Sequence, residues 1–281
     1  MIPAAFDYDV AESVEHAVEL LSDGGSDTKL LAGGQSLIPA LKLRIARPTK
    51  LVDLGRLDDV AYVRDGGTHV AIGALTRHSA VAADPLLAEH CPIVSQTAAQ
   101  IGDPQVRSRG TLGGTMAHGD PASDMPAVML ALGADVVVRG TAGDRVIPAT
   151  AFFTGVFQSA CAPDEVVVEV RVPKLAASTG WSYVKAQRRA QDWATVGVAA
   201  LVHRDNGSVA GASIGLVNMG ATPLRAKVAE DALAGGASVA DAAALVTDGA
   251  EPPTDLAGSS EYRAHLARVI ARRALEEALA R

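Results

Sequence analysis

Residues 111–134 read "TLGGTMAHGDPASDMPAVMLALGA". A glycine pair stands between two hydroxyl residues, and an apolar run follows. Ser123 or Asp124 is a fitting N-cap for that run, with Pro126 tolerated in the first turn, so a long irregular loop leads into a helix. Upstream, "LLAGGQSLIP", residues 30–39, repeats the glycine pair with Ser36 beside it. Glycine lacks Cβ, so successive peptide N–H groups can turn inward and approach an anion closely. A pyrophosphate suits such a nest, and Ser36, Thr111 and Thr115 add hydroxyl donors. The first loop leaves a short buried strand, "TKLLAGG", and enters a short helix, "LIPALKLR", whose N-terminus adds to the field there. Neither stretch is G-x-x-x-x-G-K-[ST], which disfavours a P-loop. Neither is G-x-G-x-x-G opening a βαβ unit, so the Rossmann reading fails too. One glycine pair alone is an ordinary turn; two, with hydroxyls and a long loop, point to a ligand.

Outward from these loops, the chain of 281 residues is long enough for about two domains. Its 48% hydrophobic and 20% charged composition is that of a folded globular protein. A net charge of −7 argues against nucleic-acid binding, which needs a basic face. The start lacks a basic segment with an apolar signal core, and no apolar run reaches about 18 residues, so a cytoplasmic chain without a transmembrane segment is expected. The two cysteines, Cys91 and Cys161, are too few for the four thiolates of an iron–sulfur cluster.

Periodicity predicts an amphipathic helix over residues 11–25, with Val14, Ala17, Val18 and Leu21 on one face and a glycine stop. Strands are expected at "KLVDLG", "VAYVRDGG" and "THVAIGA", with a hairpin at Asp65–Gly67. Helices are expected from Thr76 to Gly102, then strands at "DVVVRG", "DRVIPA" and "DEVVVEVRVP". Residues 173–180 read as a linker. Beyond it, three strand-like runs and alanine-rich helices suggest a small α+β domain with an antiparallel sheet.

"AGGQSLIPALKLR" and "TLGGTMAHGDPASDMPAVMLALGA" resemble the two flavin-binding signatures of the FAD-binding, medium subunit of the molybdenum hydroxylases. Within that group they are most similar to the subunit of aerobic carbon monoxide dehydrogenase and its relatives. "IPAAFDYDVAESVEHAVELL" and "YVKAQRRAQDWATVGVAA" extend the resemblance over nearly the whole chain. It implies an α+β protein: a two-part FAD-binding domain of the vanillyl-alcohol-oxidase type over 1–175, with subdomains of about 1–55 and 56–175. A small C-terminal domain with a three-stranded antiparallel sheet and helices would cover 176–281. Carried over by position, Ala32, Gly33, Gly34, Gln35, Ser36 and Leu37 form the first flavin loop, and Thr111, Leu112, Gly113, Gly114 and Thr115 the second. Asp124 matches the acidic position expected to reach the ribityl hydroxyls, and Lys185 a basic residue near the flavin. Threonine stands at 115 where the family often has asparagine, which keeps a hydroxyl but loses the amide.

The resemblance further implies a molybdopterin-containing large subunit and a small subunit with [2Fe–2S] clusters as partners, in a dimer of heterotrimers. This chain would take single electrons from a cluster and pass them, through FAD, to an external acceptor. The absence of a nicotinamide fingerprint favours a quinone or another non-nicotinamide acceptor. A free-standing flavin reductase or oxidase, and a flavin-binding assembly subunit without turnover, remain alternatives. No residue of this chain is expected to be catalytic in the bond-breaking sense.

Other features have plainer readings. His118, Asp120 and Asp124 match no metal-ligand spacing and are taken as a polar loop cluster. Ser182 and Lys185 form S-x-x-K without its partner motifs. Trp193 is read as a core residue of the second domain, with stacking over a flavin ring as the alternative. The basic run Lys185–Arg189 is read as a solvated strand face, with contact to the flavin or an acidic partner as the alternatives.

Overall fold

The computed structural model describes residues 2–25, 27–205 and 208–281. Strand β1 (Asp7–Val10) leads to helix α1 (Val14–Gly24), whose N-cap Ser13 accepts the His16 N–H at 3.1 Å. Val14, Ala17, Val18 and Leu21 are buried along one stripe, and Gly25 ends the helix at φ 72°. Strand β2 (Thr28–Leu31), helix α2 (Leu37–Lys42) and strand β3 (Lys50–Asp53) follow. The three strands form a parallel sheet in the order β1-β3-β2. Their carboxyl ends therefore open on one edge, where parallel sheets hold ligands. Strand β1 is not among the sequence-predicted strands; at four residues, its alternation of Tyr8 and Val10 with two aspartates is too short to stand out.

The expected hairpin forms between β4 (Val63–Asp65) and β5 (His69–Gly73), with Gly67 at φ 81°. Helices α3 (His78–Ala83), α4 (Pro85–His90), α5 (Pro92–Ala99) and α6 (Pro104–Arg107) follow. Then come α7 (Leu112–His118) and α8 (Asp124–Leu132). The second glycine stretch is thus not an irregular loop: Gly113 and Gly114 lie in the first turn of α7. Thr111 caps that turn through the Gly114 N–H at 3.2 Å, and tertiary bonds override the low helix propensity of glycine. Strands β6 (Asp135–Gly140) and β7 (Gly143–Pro148), helix α9 (Ala149–Phe152), the short β8 (Phe153–Gly155) and β9 (Gln158–Ser159), and β10 (Val166–Pro173) complete this part.

The central sheet is antiparallel, in the order β4-β5-β10-β6-β7. Strand alternation sends Val136, Val138, Val170 and Val172 to the core under the helices. Val137, Val166 and Val168 face α1 instead. One sheet thereby serves two cores and ties the subdomains together.

After residues 174–178, strands β11 (Thr179–Ala186), β12 (Val196–Asp205), β13 (Ser208–Val217) and β14 (Leu224–Arg225) form an antiparallel sheet in that order. The expected three strands thus gain a fourth, only two residues long. Helices α10 (Lys227–Ala234), α11 (Val239–Ala244) and α12 (Ser260–Ala280) cover one face. Small residues let backbones close in: a Cβ on Gly180 would stand 1.8 Å from the Ala278 carbonyl oxygen. The other face packs on α8, where a Gly215 Cβ would meet the Ala127 carbonyl oxygen at 2.1 Å. Every residue of α8 is buried, so its all-round apolar sequence is that of a helix clamped between two layers. Among the described residues no helix is long and apolar enough to cross a membrane.

Candidate functional site

The two glycine stretches, far apart in sequence, touch in space. A Cβ on Gly33 would stand 2.3 Å from the Arg109 carbonyl oxygen and 2.8 Å from Gly110 Cα. A Cβ on Gly114 would come to 3.8 Å from Ala32 Cβ. The first loop leaves β2 at the carboxyl edge of the parallel sheet and turns at Gly34, whose φ of 73° belongs to the left-handed region that glycine adopts without strain.

Backbone bonding separates the roles of the two stretches. Among the described residues, the N–H groups of Gly33, Gly34, Gln35, Ser36 and Leu37 have no hydrogen-bond acceptor within the protein. Five successive unsatisfied donors at a sheet edge are suited to an anion. The second stretch is engaged: the Leu112 N–H donates to the Thr76 carbonyl at 3.1 Å and the Gly113 N–H to the Ala74 carbonyl at 2.8 Å. The Gly114 and Thr115 N–H groups donate to Thr111, at its hydroxyl and its carbonyl. A Cβ on Gly113 would sit 2.4 Å from Ala74 Cβ, so this glycine seats α7 against the end of β5. What the second stretch offers a ligand is hydroxyl groups: Thr115, partly exposed, and the O–H of Thr111, whose oxygen already accepts from Gly114.

Asp124 and Lys185 meet, across the two domains. The Lys185 Nζ lies 2.9 Å from Asp124 Oδ2, with side chains 1% and 5% exposed. It also donates to the Gln100 carbonyl at 3.2 Å, at the end of α5. The Tyr183 hydroxyl donates to Asp124 Oδ1. Burial pushes the Asp124 carboxyl above its ordinary value, while Lys185 and the Tyr183 hydrogen bond pull it down. Burial, then the Asp124 charge, holds the Tyr183 phenol well above its ordinary value. Both oxygens of Asp124 are therefore committed to protein donors. Tyr183 is absent from the residues expected from sequence. The usable signal was alternation: Tyr183 and Lys185 stand two apart on one face of β11, opposite the one charged residue of α8.

That same alternation turns Ser182 the other way, where its hydroxyl donates to Glu277 at 2.6 Å, so S-x-x-K has no shared site. Two readings need correction. Trp193 is 71% exposed and is not a core residue, because it lies in the connection between β11 and β12 rather than on a strand. Lys185 is not on a solvated face; β11 ends at Ala186, and within the run Lys185–Arg189 only Arg188 and Arg189 are exposed. His118 packs on the Phe157 ring with centroids 5.0 Å apart, and Asp120 accepts the Ala122 N–H at 2.8 Å. Among the described residues no three His, Cys, Asp or Glu side chains are arranged to hold a metal ion.

Comparison with known proteins agrees with this geometry along the whole chain. Residues 4–175 match the family described as the FAD binding domain in molybdopterin dehydrogenase. Residues 181–278 match the CO dehydrogenase flavoprotein C-terminal domain. The chain is 41% identical to the carbon monoxide dehydrogenase medium chain of Hydrogenophaga pseudoflava, over 100% of this chain and 99% of that one. It is also 41% identical to the 6-hydroxypseudooxynicotine dehydrogenase complex subunit alpha of Paenarthrobacter nicotinovorans, over 100% and 97% of the two chains. A solved structure of carbon monoxide dehydrogenase from Hydrogenophaga pseudoflava superposes with a TM-score of 0.96 at 43% identity, covering 100% of this chain and 99% of that chain. A backbone cradle at the edge of a parallel sheet, closed by a second glycine stretch and carried on these two matched domains, makes the chain an FAD-binding oxidoreductase subunit that belongs to the molybdenum hydroxylase family.

Proposed function

We propose that this chain is the electron-transfer subunit of a three-subunit molybdenum hydroxylase. It takes electrons from [2Fe–2S] clusters of a small partner and delivers them to an external acceptor, while a molybdopterin-containing large partner oxidises the substrate. The observation that carries the reading is the row of five unpartnered N–H groups from Gly33 to Leu37, facing the crevice that Arg109 and Gly110 close. These donors suit the pyrophosphate of FAD, and the hydroxyls of Thr111 and Thr115 complete the cradle from the other side. Bound FAD exchanges electrons singly or in pairs, which matches a one-electron cluster to a two-electron acceptor. Gly33 seats the first stretch against Arg109 and Gly110, and Gly113 seats α7 against Ala74. Lys185 holds a positive charge at a fixed place, since Asp124 and the Gln100 carbonyl both bind its ammonium. Asp124 and Lys185 are placed here at the ribityl and ring end of the cofactor, with Asp124 oriented by Tyr183.

Two features support the division of labour. Cys91 and Cys161 are the only cysteines of the chain, so clusters must sit on another chain. The relatives are described as a medium chain and as one subunit of a complex. Carbon monoxide is the substrate suggested by one relative, and the other, at equal identity, oxidises a different compound by its name. Substrate choice accordingly belongs to the large partner, and the assembly is taken as a dimer of heterotrimers in the cytoplasm.

The test uses the assembled complex and the isolated chain, both loaded with FAD. Substrate should bleach the visible flavin band in the complex. Removing the iron–sulfur subunit should stop the bleaching and leave FAD bound. Rapid bleaching of the isolated chain by carbon monoxide, an aldehyde or a heterocycle would overturn the relay and favour a free-standing enzyme.

A further inference from the structure

Two arginines, Arg77 and Arg109, stand beside the cradle without an ion-pair partner among the described residues. Arg77 lies at the start of α3, paired in an antiparallel bridge with Thr111. Its Nη1 donates to the Arg109 carbonyl at 2.5 Å, the same oxygen against which Gly33 is seated. Arg109 immediately precedes Gly110 and the second glycine stretch, and its side chain is exposed. Among the described residues, neither guanidinium has a carboxylate within 4.0 Å, whereas Arg139, Arg145, Arg171, Arg189, Arg225, Arg263 and Arg272 all do. Burial, and after it the neighbouring Arg109 charge, pulls the Arg77 guanidinium below its ordinary value, with Asp53 acting the other way.

Two like charges that act on each other, on residues whose backbone borders five unspent N–H donors, are unfavourable until an anion arrives. We propose that Arg77 and Arg109 are the charge-neutralising wall of the pyrophosphate site, and that they, rather than the N–H row alone, set the affinity for the dinucleotide over its uncharged flavin. This inference rests on the FAD reading above and adds the residues that answer the diphosphate charge. The N–H row supplies direction and shape; it carries only partial charges. A diphosphate with about two negative charges is met by two full positive ones, through planar donors suited to phosphate oxygens. Arg77 has the second task of fixing the Arg109 backbone, so it positions the connection between α6 and α7 as well as charging it. Arg109 uses only its backbone for structure, so its side chain is free to serve the ligand.

The experiment measures binding of FAD, ADP and riboflavin to the full chain freed of flavin, at low and at moderate salt. The variants are Arg109→Gln, Arg77→Gln and Arg77→Lys, each checked by far-UV circular dichroism. Arg109→Gln should weaken FAD and ADP about tenfold, a typical worth of one charge-assisted bond to phosphate, and flatten the salt dependence of binding. Riboflavin, which has no phosphate, should keep its affinity in Arg109→Gln. Arg77→Lys should recover part of what Arg77→Gln loses, because charge and one donor return. Unchanged FAD affinity and salt dependence in Arg109→Gln would overturn the proposal. An equal loss for riboflavin would overturn it too, since the damage would then be to the loop. Failure of the unaltered chain to bind FAD at all would strike instead at the functional reading beneath it.

Discussion

His78 gives the sharpest handle on the coupling between stability and the cofactor crevice. Its side chain is 3% exposed, and its Nδ1 is buried without a partner. Its backbone N–H donates to the Gly110 carbonyl at 2.9 Å, and its ring fills the space where a Gly110 Cβ would stand, 2.9 Å from Cδ2. Burial, reinforced by the charge of Arg107, brings its pKa down from 6.5 to about 4. The unfolded chain takes up that proton near the ordinary value, and the folded chain resists it. The stability His78 contributes is therefore complete above pH 6.5 and is lost as the pH falls through about 4. A gap of about 2.5 pH units, at about 1.4 kcal/mol each, comes to about 3 kcal/mol. Urea unfolding of the chain between pH 7 and pH 4 should show this loss, and His78→Leu should remove that part of the slope whatever its stability at neutral pH. FAD retention should fall only near pH 4 in the unaltered chain, where the folded His78 itself takes up a proton and its charged imidazole would push on Gly110. Identical acid slopes for the two proteins between pH 6.5 and pH 4 would refute the reasoning.

Gly33→Ala should lose most of its flavin while keeping its far-UV circular dichroism, since its Cβ would strike backbone that cannot swing aside, 2.3 Å from the Arg109 oxygen. Gly34→Ala meets only side chains, Ile38 at 2.8 Å and Leu31 at 3.2 Å, and bears a strain of about 1 kcal/mol from its positive φ, so it should retain more flavin than Gly33→Ala. Asp124→Asn leaves the Lys185 ammonium buried without its anion and should cost about 3–5 kcal/mol in urea unfolding. Adding Lys185→Met to it should restore part of that loss, and simple additivity of the two changes would contradict a coupled pair.

The sequence was most informative where one residue property determines the local structure. Helix α1 was legible because its apolar stripe, its Ser13 cap and its glycine stop agree. The first glycine loop was legible because a strand of four residues runs straight into it. The second stretch was recognisable as a site but not as a helix. Its helicity comes from Thr111 capping Gly114 and from the Thr76 and Ala74 carbonyls accepting N–H groups, all of it tertiary. For the same reason the sequence could not reveal that its N–H groups are already used. Trp193 was misplaced because an aromatic near an apolar run looks like core, and only the end of β11 at Ala186 puts it outside the sheet. Arg77 and Arg109, 32 residues apart, carry no motif; their pairing exists only because α3 and the second stretch cross at one backbone bridge.

Asp124 explains why the small C-terminal domain is fastened to the first domain rather than merely following it. A carboxylate at the first position of a helix with no exposed face must be answered from whatever packs against that helix. Within the first 175 residues the carbonyl of Gln100 stands nearby, and a carbonyl cannot neutralise a carboxylate. The two donors that do, the Tyr183 hydroxyl and the Lys185 ammonium, both come from β11, the strand that opens the second domain. The neighbouring strands depend on the same contact. Asn218, at the end of β13, donates its N–H to the Pro121 carbonyl at 2.8 Å and its amide to the Ala194 carbonyl at 3.0 Å. It thereby ties the turn before Asp124 to the connection that bears Trp193. The glycine stretches thus meet within the first domain, while the buried carboxylate at the start of α8 depends on a charge supplied by the second.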